Sequence, residues 1–304
     1  MTASRDLFLI LNGKAAARDD VRAAVEAVRA AGHGVEVRVT FDPEDATRFV
    51  GELAARASAD RPDVVVAGGG DGTVNAVVSQ AVAQDCADGL AFAVMPLGTA
   101  NDFARGQGIP TEDPQAALTL AAEGAARAID LGRINDRLFV NLASGGTVTH
   151  ITREADPRAK RVLGGVAYLL AGASRLGELT PSQARFEAED FRWEGRFLAM
   201  AVGNGPMAGG GVTLCPEAVL DDGLLDLTIL PYPDMEGVLP SLSEIFNGTG
   251  DEARRIAERT RVRTLTIDSA APLAINLDGE ATSATRIEVE VLPGAVSFVL
   301  PARG

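Results

Sequence analysis

A run of buried-type residues, Val64-Val65-Val66-Ala67, passes without a spacer into Gly68-Gly69-Gly70-Asp71-Gly72-Thr73, and a helix is expected from about Val74. This junction constrains the fold more than any other feature of the chain. A strand that is apolar on both faces belongs in a sheet covered by helices on both sides. Glycines at its carboxyl end let the backbone approach an anion, where a helix N-terminus presents free N–H groups and the positive end of its dipole. A phosphate fits such a loop; a tight strand-to-helix turn with no ligand is the other reading. The run does not complete G-x-G-x-x-G, because counting from Gly68 the last position is Thr73. Nor is there a Walker A loop: the two lysines are Lys14 and Lys160, and Lys14 is followed by Ala15.

The neighbouring segments alternate in the same way. Residues 7–11 form another continuous apolar run. Val21, Val25 and Val28 recur at helical spacing and Gly32 marks a stop. Residues 35–39 alternate as a strand, Asp42 and Pro43 read as the N-cap and first position of a helix, and residues 91–95 form a strand ending at Pro96. This order predicts an α/β domain over residues 1–130 with a mostly parallel sheet and its functional loops at the carboxyl ends of the strands. Beyond Ile129 the texture turns to β. Residues 138–142, 197–202, 225–230 and 262–267 read as strands, residues 287–291 alternate strictly, and Asp222-Gly223 and Asp278-Gly279 are hairpin-type turns. Residues 131–304 therefore read as a β-sandwich domain, with helices near residues 166–176 and 252–259. Two domains also suit 304 residues at about 150 per domain.

Charge narrows the function. With 28 Lys and Arg against 42 Asp and Glu, the net charge of −14 argues against a nucleic-acid binder and against membrane docking by bulk electrostatics. Cys86 and Cys215 allow one disulfide, but free thiols in a cytoplasmic protein are the simpler reading. The apolar run 7–11 is too short for a signal peptide, and no stretch approaches a membrane span. His33 and His150 lack partners at zinc-ligand spacing, and no G-x-S-x-G elbow occurs. Arg153, Arg158, Lys160 and Arg161, beside Val166, Leu169 and Leu170, read as a solvated helix face or as a local contact with lipid headgroups. Nothing indicates an oligomeric state.

Three further segments carry chemistry. Pro96-Leu97-Gly98-Thr99-Ala100-Asn101-Asp102-Phe103 follows the next strand and opens on the same crevice, where Thr99 and Asn101 suit a nucleotide contact or a cap for a short helix. In Asn276-Leu277-Asp278-Gly279-Glu280 the turn presents Glu280, either as a general base toward a hydroxyl or as a solvated turn glutamate. Leu220-Asp221-Asp222-Gly223-Leu224 offers carboxylates and carbonyls to a hard cation such as Mg²⁺ or Ca²⁺, or is a bare hairpin turn.

Taken together and in order, these segments resemble the diacylglycerol-kinase-type lipid kinases, in particular the bacterial YegS lipid kinases. Leu11-Asn12-Gly13-Lys14, Arg38-Val39-Thr40 and Ala208-Gly209-Gly210-Gly211 through Leu214-Cys215-Pro216 support the likeness. The resemblance implies an ATP-binding α/β domain joined to a β-sandwich, with the active site in the cleft between them. It implies ATP contacts at Thr40, Gly70, Asp71, Gly72, Thr73, Val74, Asn75, Ala76 and Thr99. It makes Glu280 the proton acceptor, with Asp71 orienting Mg–ATP or the loop, and places Mg²⁺ on Asp222 and the main-chain oxygens of Val219 and Leu224, a site that Ca²⁺ also suits. The expected activity is transfer of the ATP γ-phosphoryl to a lipid hydroxyl, of diacylglycerol or phosphatidylglycerol type, in the cytoplasm and at the inner membrane face through transient peripheral contact. The alternatives are a non-catalytic lipid-binding or regulatory protein on a kinase scaffold, and a kinase of a soluble small molecule resembling NAD kinases.

Overall fold

The computed structural model describes residues 3–42, 44–146, 180–232 and 257–302. The chain forms two compact units, residues 1–129 with 294–304, and residues 130–293. The second expected domain ran unbroken to residue 304. Instead, the C-terminal end returns to the first unit, where Ser297 and Phe298 pair in parallel with Ala91 and Phe92. Phe298 has no exposed surface, and its ring lies 5.0 Å from that of Phe103 and 6.1 Å from that of Phe92. Burial of an aromatic ring decides where the last strand belongs.

In the first unit, β1 (Asp6–Asn12), β2 (Gly34–Thr40), β3 (Val64–Gly69) and β4 (Ala91–Pro96) lie in the order β2-β1-β3-β4, all parallel. On one face Leu7, Leu9, Leu11, Val64 and Val66 pack with Val21, Val25 and Val28 of α1 (Asp19–Ala30) and Leu118 and Ala121 of α5 (Pro114–Glu123). The alternate residues Phe8, Ile10, Val65 and Ala67 point to the other face and are equally buried. Helices α2 (Asp45–Ala54) and α3 (Asp71–Ala83) pack on each other.

Two helix starts differ from expectation. Helix α2 begins at Asp45 and Asp42 is not its N-cap, because the Asp45 carboxylate accepts the N–H groups of Phe41 and Asp42 and holds them as a turn; Pro43 lies outside the described residues. Helix α3 begins at Asp71, three residues before Val74, because the Gly70 carbonyl already accepts from Thr73 and Val74.

The described strands that build the second unit pair antiparallel there, and the first and last of them also run through residues 126–129 and 294–299 of the first unit. They begin with β5 (Ala126–Ile134), β6 (Arg137–Phe139) and β7 (Leu142–Gly145), so the expected strand 138–142 is interrupted at Val140 and Asn141. There follow β8 (Ser182–Ala188), β9 (Phe191–Gly203), the short pair β10 (Met207–Ala208) and β11 (Val212–Thr213), β12 (Leu225–Pro231), β13 (Glu258–Val262), β14 (Thr264–Leu277) and β15 (Glu280–Val299). The order is β13-β12-β9-β7-β14-β15, with β8 also joined to β9 and β14 and β5 to β6 and β15. Phe186, Trp193 and Phe197 form an edge-to-face cluster in its core.

Asp278-Gly279 is a two-residue hairpin turn: Leu277 faces Glu280, and both turn residues have positive φ, 48° and 101°. Asp222-Gly223 is not a hairpin, because the strand after it, β12, pairs with β9 and β13. The helix expected over residues 252–259 ends instead in strand β13. The rest of that segment, the expected helix at 166–176, the basic cluster at 153–161 and His150 lie outside the described residues. His33 has a structural place, its Nδ1 accepting from the Arg5 N–H at 3.2 Å. Cys86 and Cys215 are free and buried, and burial pushes the Cys215 thiol up to about 12. Among the described residues no helix is long and apolar enough to cross a membrane.

Candidate active site

The four parallel strands of the first unit end level. Thr40 faces Asn12, Leu11 faces Gly68, and Gly69 faces Pro96. The loops that begin at Gly13, Phe41, Gly70 and Leu97 therefore leave from one edge. Gly70 is the N-cap of α3 in an extended conformation (φ −94°, ψ −172°), and no side chain caps this helix. The first N–H groups of a helix have no partner within it, so the turn at Asp71 and Gly72 presents donors and the positive end of the dipole to whatever occupies the edge. Close approach explains the glycines. A Cβ on Gly98 would stand 2.5 Å from the Gly70 Cα, and one on Gly69 would stand 2.2 Å from the Thr73 Oγ1. The loop is a cradle that any side chain would fill, and it fits the phosphates of a nucleotide.

Asp71 does not point away as a lone acid. Its Oδ1 accepts the Phe103 N–H at 2.9 Å and its Oδ2 the Asp102 N–H at 3.1 Å. It thereby caps α4 (Asp102–Gly106), whose own N-cap residue, Asn101, is left-handed and makes no side-chain cap. The Asn101 amide in turn clamps Gly98, accepting from its N–H at 2.9 Å and donating to its carbonyl at 3.0 Å. The two loops are thus one rigid piece, tied by Asp71 and by the Leu97 N–H on the Gly69 carbonyl. Of the expected nucleotide contacts, Thr40, Gly70, Asp71, Gly72, Thr73 and Thr99 lie at this edge, Thr99 exposed at the loop tip. Val74 and Asn75 are buried within α3, and Ala76 is half-buried. Asn75 accepts from the Ser79 hydroxyl at 3.2 Å.

In the second unit the Asp278-Gly279 turn is built from below. The buried Asp278 carboxylate accepts three backbone N–H groups, from Val140 at 2.6 Å, Leu142 at 2.8 Å and Asn141 at 3.1 Å. Asn276 closes the turn by accepting the Gly279 N–H at 2.8 Å. Glu280 follows at the surface, and its Oε2 pairs with Arg137 of β6.

Asp222 lies in the turn before β12. Its Oδ1 accepts the Leu224 N–H at 3.0 Å and its Oδ2 pairs with Arg261 of β13. The same guanidinium reaches Asp226 at 3.6 Å, a carboxyl that burial and the nearby Glu217 push up to about 6. The Gly223 N–H donates to the buried Asp130 at 2.7 Å. One carboxylate with the Val219 and Leu224 carbonyls is an all-oxygen set of the kind a hard cation takes, so the donors fit Mg²⁺ in kind, with Arg261 giving up Oδ2. Among the described residues no group of three or more His, Cys, Asp or Glu side chains could hold a metal.

Several residues that shape these sites escaped the sequence reading. Asp278 had been read only as a turn former. Arg137 and Arg261, which pair with Glu280 and Asp222, sit far from them in sequence. Asn204 is fully buried and donates to the Asp130 and Val140 carbonyls at 2.8 and 2.7 Å, which joins β5, whose Asp130 holds Gly223, to the segment under the Asp278-Gly279 turn. The Asn204-Gly205 pair beside a core strand was its only sequence trace.

Known proteins bear on this geometry. Residues 6–134 match the diacylglycerol kinase catalytic domain, and residues 142–300 match the YegS C-terminal NAD kinase beta sandwich-like domain. A Pseudomonas aeruginosa protein named "Probable lipid kinase YegS-like" is 47% identical over 97% of this chain and 94% of its own. One of the same name from Stenotrophomonas maltophilia is 45% identical over 97% and 96%. The crystal structure of a diacylglycerol kinase from Bacillus anthracis str. Sterne shares the fold, with a TM-score of 0.74 at 20% identity over 99% of this chain and 98% of that one. With both halves matched and nearly half of the residues shared over almost the whole length, the chain belongs to the YegS-like lipid kinase family.

Proposed function

We propose that the protein transfers the γ-phosphoryl group of ATP to the hydroxyl of a membrane lipid of diacylglycerol or phosphatidylglycerol type. The observation that carries this reading is the uncapped N-terminus of α3, where Gly70 and Gly98 approach each other on the edge that also holds Thr40 and Thr99. Phosphoryl transfer asks a protein for positioning and charge stabilisation more than for covalent chemistry. Residues 1–130 supply the positioning: backbone N–H groups at Asp71 and Gly72 hold phosphate oxygens, and Asp71 keeps the two loops in register. The second unit, residues 130–293, supplies the proton acceptor. The Glu280 Oε1 oxygen, outside the Arg137 contact, takes the proton as the lipid oxygen bonds to phosphorus and the bond to ADP breaks. Asp222 with the Val219 and Leu224 carbonyls would hold Mg²⁺, which supplies positive charge when bound. Transient peripheral contact with the inner membrane face, from the cytoplasm, suits a chain of net charge −14, which a bilayer of anionic lipids does not retain.

Radiolabelled ATP incubated with a total lipid extract, followed by identification of the labelled product, tests this reading. Labelled lipid is expected, with no turnover of NAD or sugars. Glu280→Gln should lose about 10²–10⁴ in turnover while keeping ATP affinity. Near-normal turnover in the folded variant would remove Glu280 from the reaction.

A further inference from the structure

Phe41 is 82% exposed; with Val219 it is one of two exposed large hydrophobic residues among those described. Its backbone is anything but loose. The Phe41 and Asp42 N–H groups both donate to the Asp45 Oδ2, at 2.7 and 3.1 Å, and Arg48 braces the other oxygen at 2.6 Å. The ring leans toward the end of β1, where its Cδ1 would lie 3.4 Å from a Cβ on Gly13. A rigidly mounted aromatic ring left in solvent is a surface waiting for a flat apolar partner.

Position selects the partner. Phe41 follows Thr40 at the carboxyl end of β2, level with Asn12. In the order β2-β1-β3, the ring stands two strand spacings from the phosphate loop after β3, roughly 10 Å, which is within reach of a nucleoside whose phosphates rest on Gly70. A lipid partner fits poorly. Asp42 and Glu44 beside the ring are both exposed acids, which an anionic membrane surface repels.

We infer that Phe41 is the base platform of the nucleotide site, stacking on the purine ring of ATP while the α3 N-terminus holds the phosphates. This rests on the ATP reading above and adds to it a residue for the base. Stacking gives affinity without choosing between purines, because each base offers a π-face; selectivity for adenine must come from polar groups nearby, such as Thr40.

Calorimetric titration of the full-length protein with ATP, GTP and inorganic tripolyphosphate separates the possibilities. Phe41→Ala is expected to weaken ATP and GTP binding alike, roughly tenfold, and to leave tripolyphosphate affinity unchanged. Phe41→Trp should restore ATP affinity and give a fluorescence change on adding ATP. Equal ATP affinity in wild type and Phe41→Ala overturns the inference, as does an equal loss for tripolyphosphate, which would mean a disturbed loop. Loss of binding to vesicles of phosphatidylglycerol, with ATP affinity intact, would assign the ring to lipid instead. A wild-type protein that binds neither ATP nor tripolyphosphate would overturn the ATP reading itself, and this inference with it.

Discussion

In the proposed reaction the first unit offers an anion its backbone, and the second offers a proton or a cation its side chains. At the glycine loop the proposed functional groups are N–H donors fixed by the fold, and the side chains around them point inward, Asp71 tying loop to loop and Asn101 closing its own loop onto Gly98. At the turns of the second unit the proposed functional groups are Glu280 and Asp222, each in contact with an arginine. A backbone site is complete once the chain is folded. At Asp222 an internal ion pair would give way to a cation, whereas at Glu280 the arginine holds one oxygen and leaves the other for the proton. What the two regions share is the device beneath them: a carboxylate that accepts backbone N–H groups, Asp71 in one and Asp278 in the other.

The largest effect belongs to the device in the second unit. Asp278→Ala strands three N–H groups in a buried place and puts alanine at a φ of 48°. The loss should be about 3–5 kcal/mol of stability. Asp278→Asn keeps one acceptor and tolerates the left-handed backbone, so it should lose roughly half of that. Denaturant unfolding followed by Trp193, the one tryptophan of the chain, reads the second unit directly. A loss under about 0.5 kcal/mol for alanine would show that the three N–H groups find other acceptors.

Next comes the backbone site. Gly98→Ala brings a Cβ within 2.5 Å of the Gly70 Cα, whereas Gly70→Ala leaves 3.2 Å to Gly98. Overpacking of this kind costs about 1–3 kcal/mol, and here it opens the cradle. ATP affinity should fall roughly 10- to 100-fold in Gly98→Ala and less in Gly70→Ala. The reverse order would mean that the ligand, not the neighbouring loop, sets the need for glycine.

The same contrast explains what could be read from the sequence. The glycine loop, its place between a buried strand and a helix, and the Asp278-Gly279 turn are local: adjacent residues specify them, so their chemistry shows in the linear chain. The arginine partner of each acid is not local. Arg137 meets Glu280 across 143 positions and Arg261 meets Asp222 across 39, and only strand pairing brings them together. The return of Phe298 to the first unit was hidden for the same reason. The start of α2 was misread because Asp45 caps backwards, onto Phe41 and Asp42, where Asp42 and Pro43 supplied a sufficient forward signal.

The Asp222 turn tests the side-chain half. Asp222→Ala should lower Mg²⁺ affinity more than tenfold by calorimetric titration, without changing ATP affinity. Arg261→Met should raise Mg²⁺ affinity, because the carboxylate no longer has a competing cation. Unchanged metal affinity in both variants would leave an Arg-closed turn with no metal role.

The smallest effect is a pH dependence at the edge of the backbone site. Two N–H groups and the Arg48 guanidinium lower the Asp45 carboxyl to about 2, the Phe41 N–H contributing most. An acid whose pKa is lower in the folded chain than in the unfolded one stabilises the fold above its unfolded value of 3.8, and that contribution is lost as pH falls toward 2. Asp45→Asn lacks the ionised form throughout. The variant should therefore melt below wild type at neutral pH, and the gap should narrow steadily below about pH 4, as the wild-type carboxylate gains its proton. Thermal unfolding of both proteins from pH 7 to pH 3 gives the comparison. A gap that stays constant across this range would mean that Asp45 acts by shape alone, and that Arg48 and the two N–H groups do not depend on its charge.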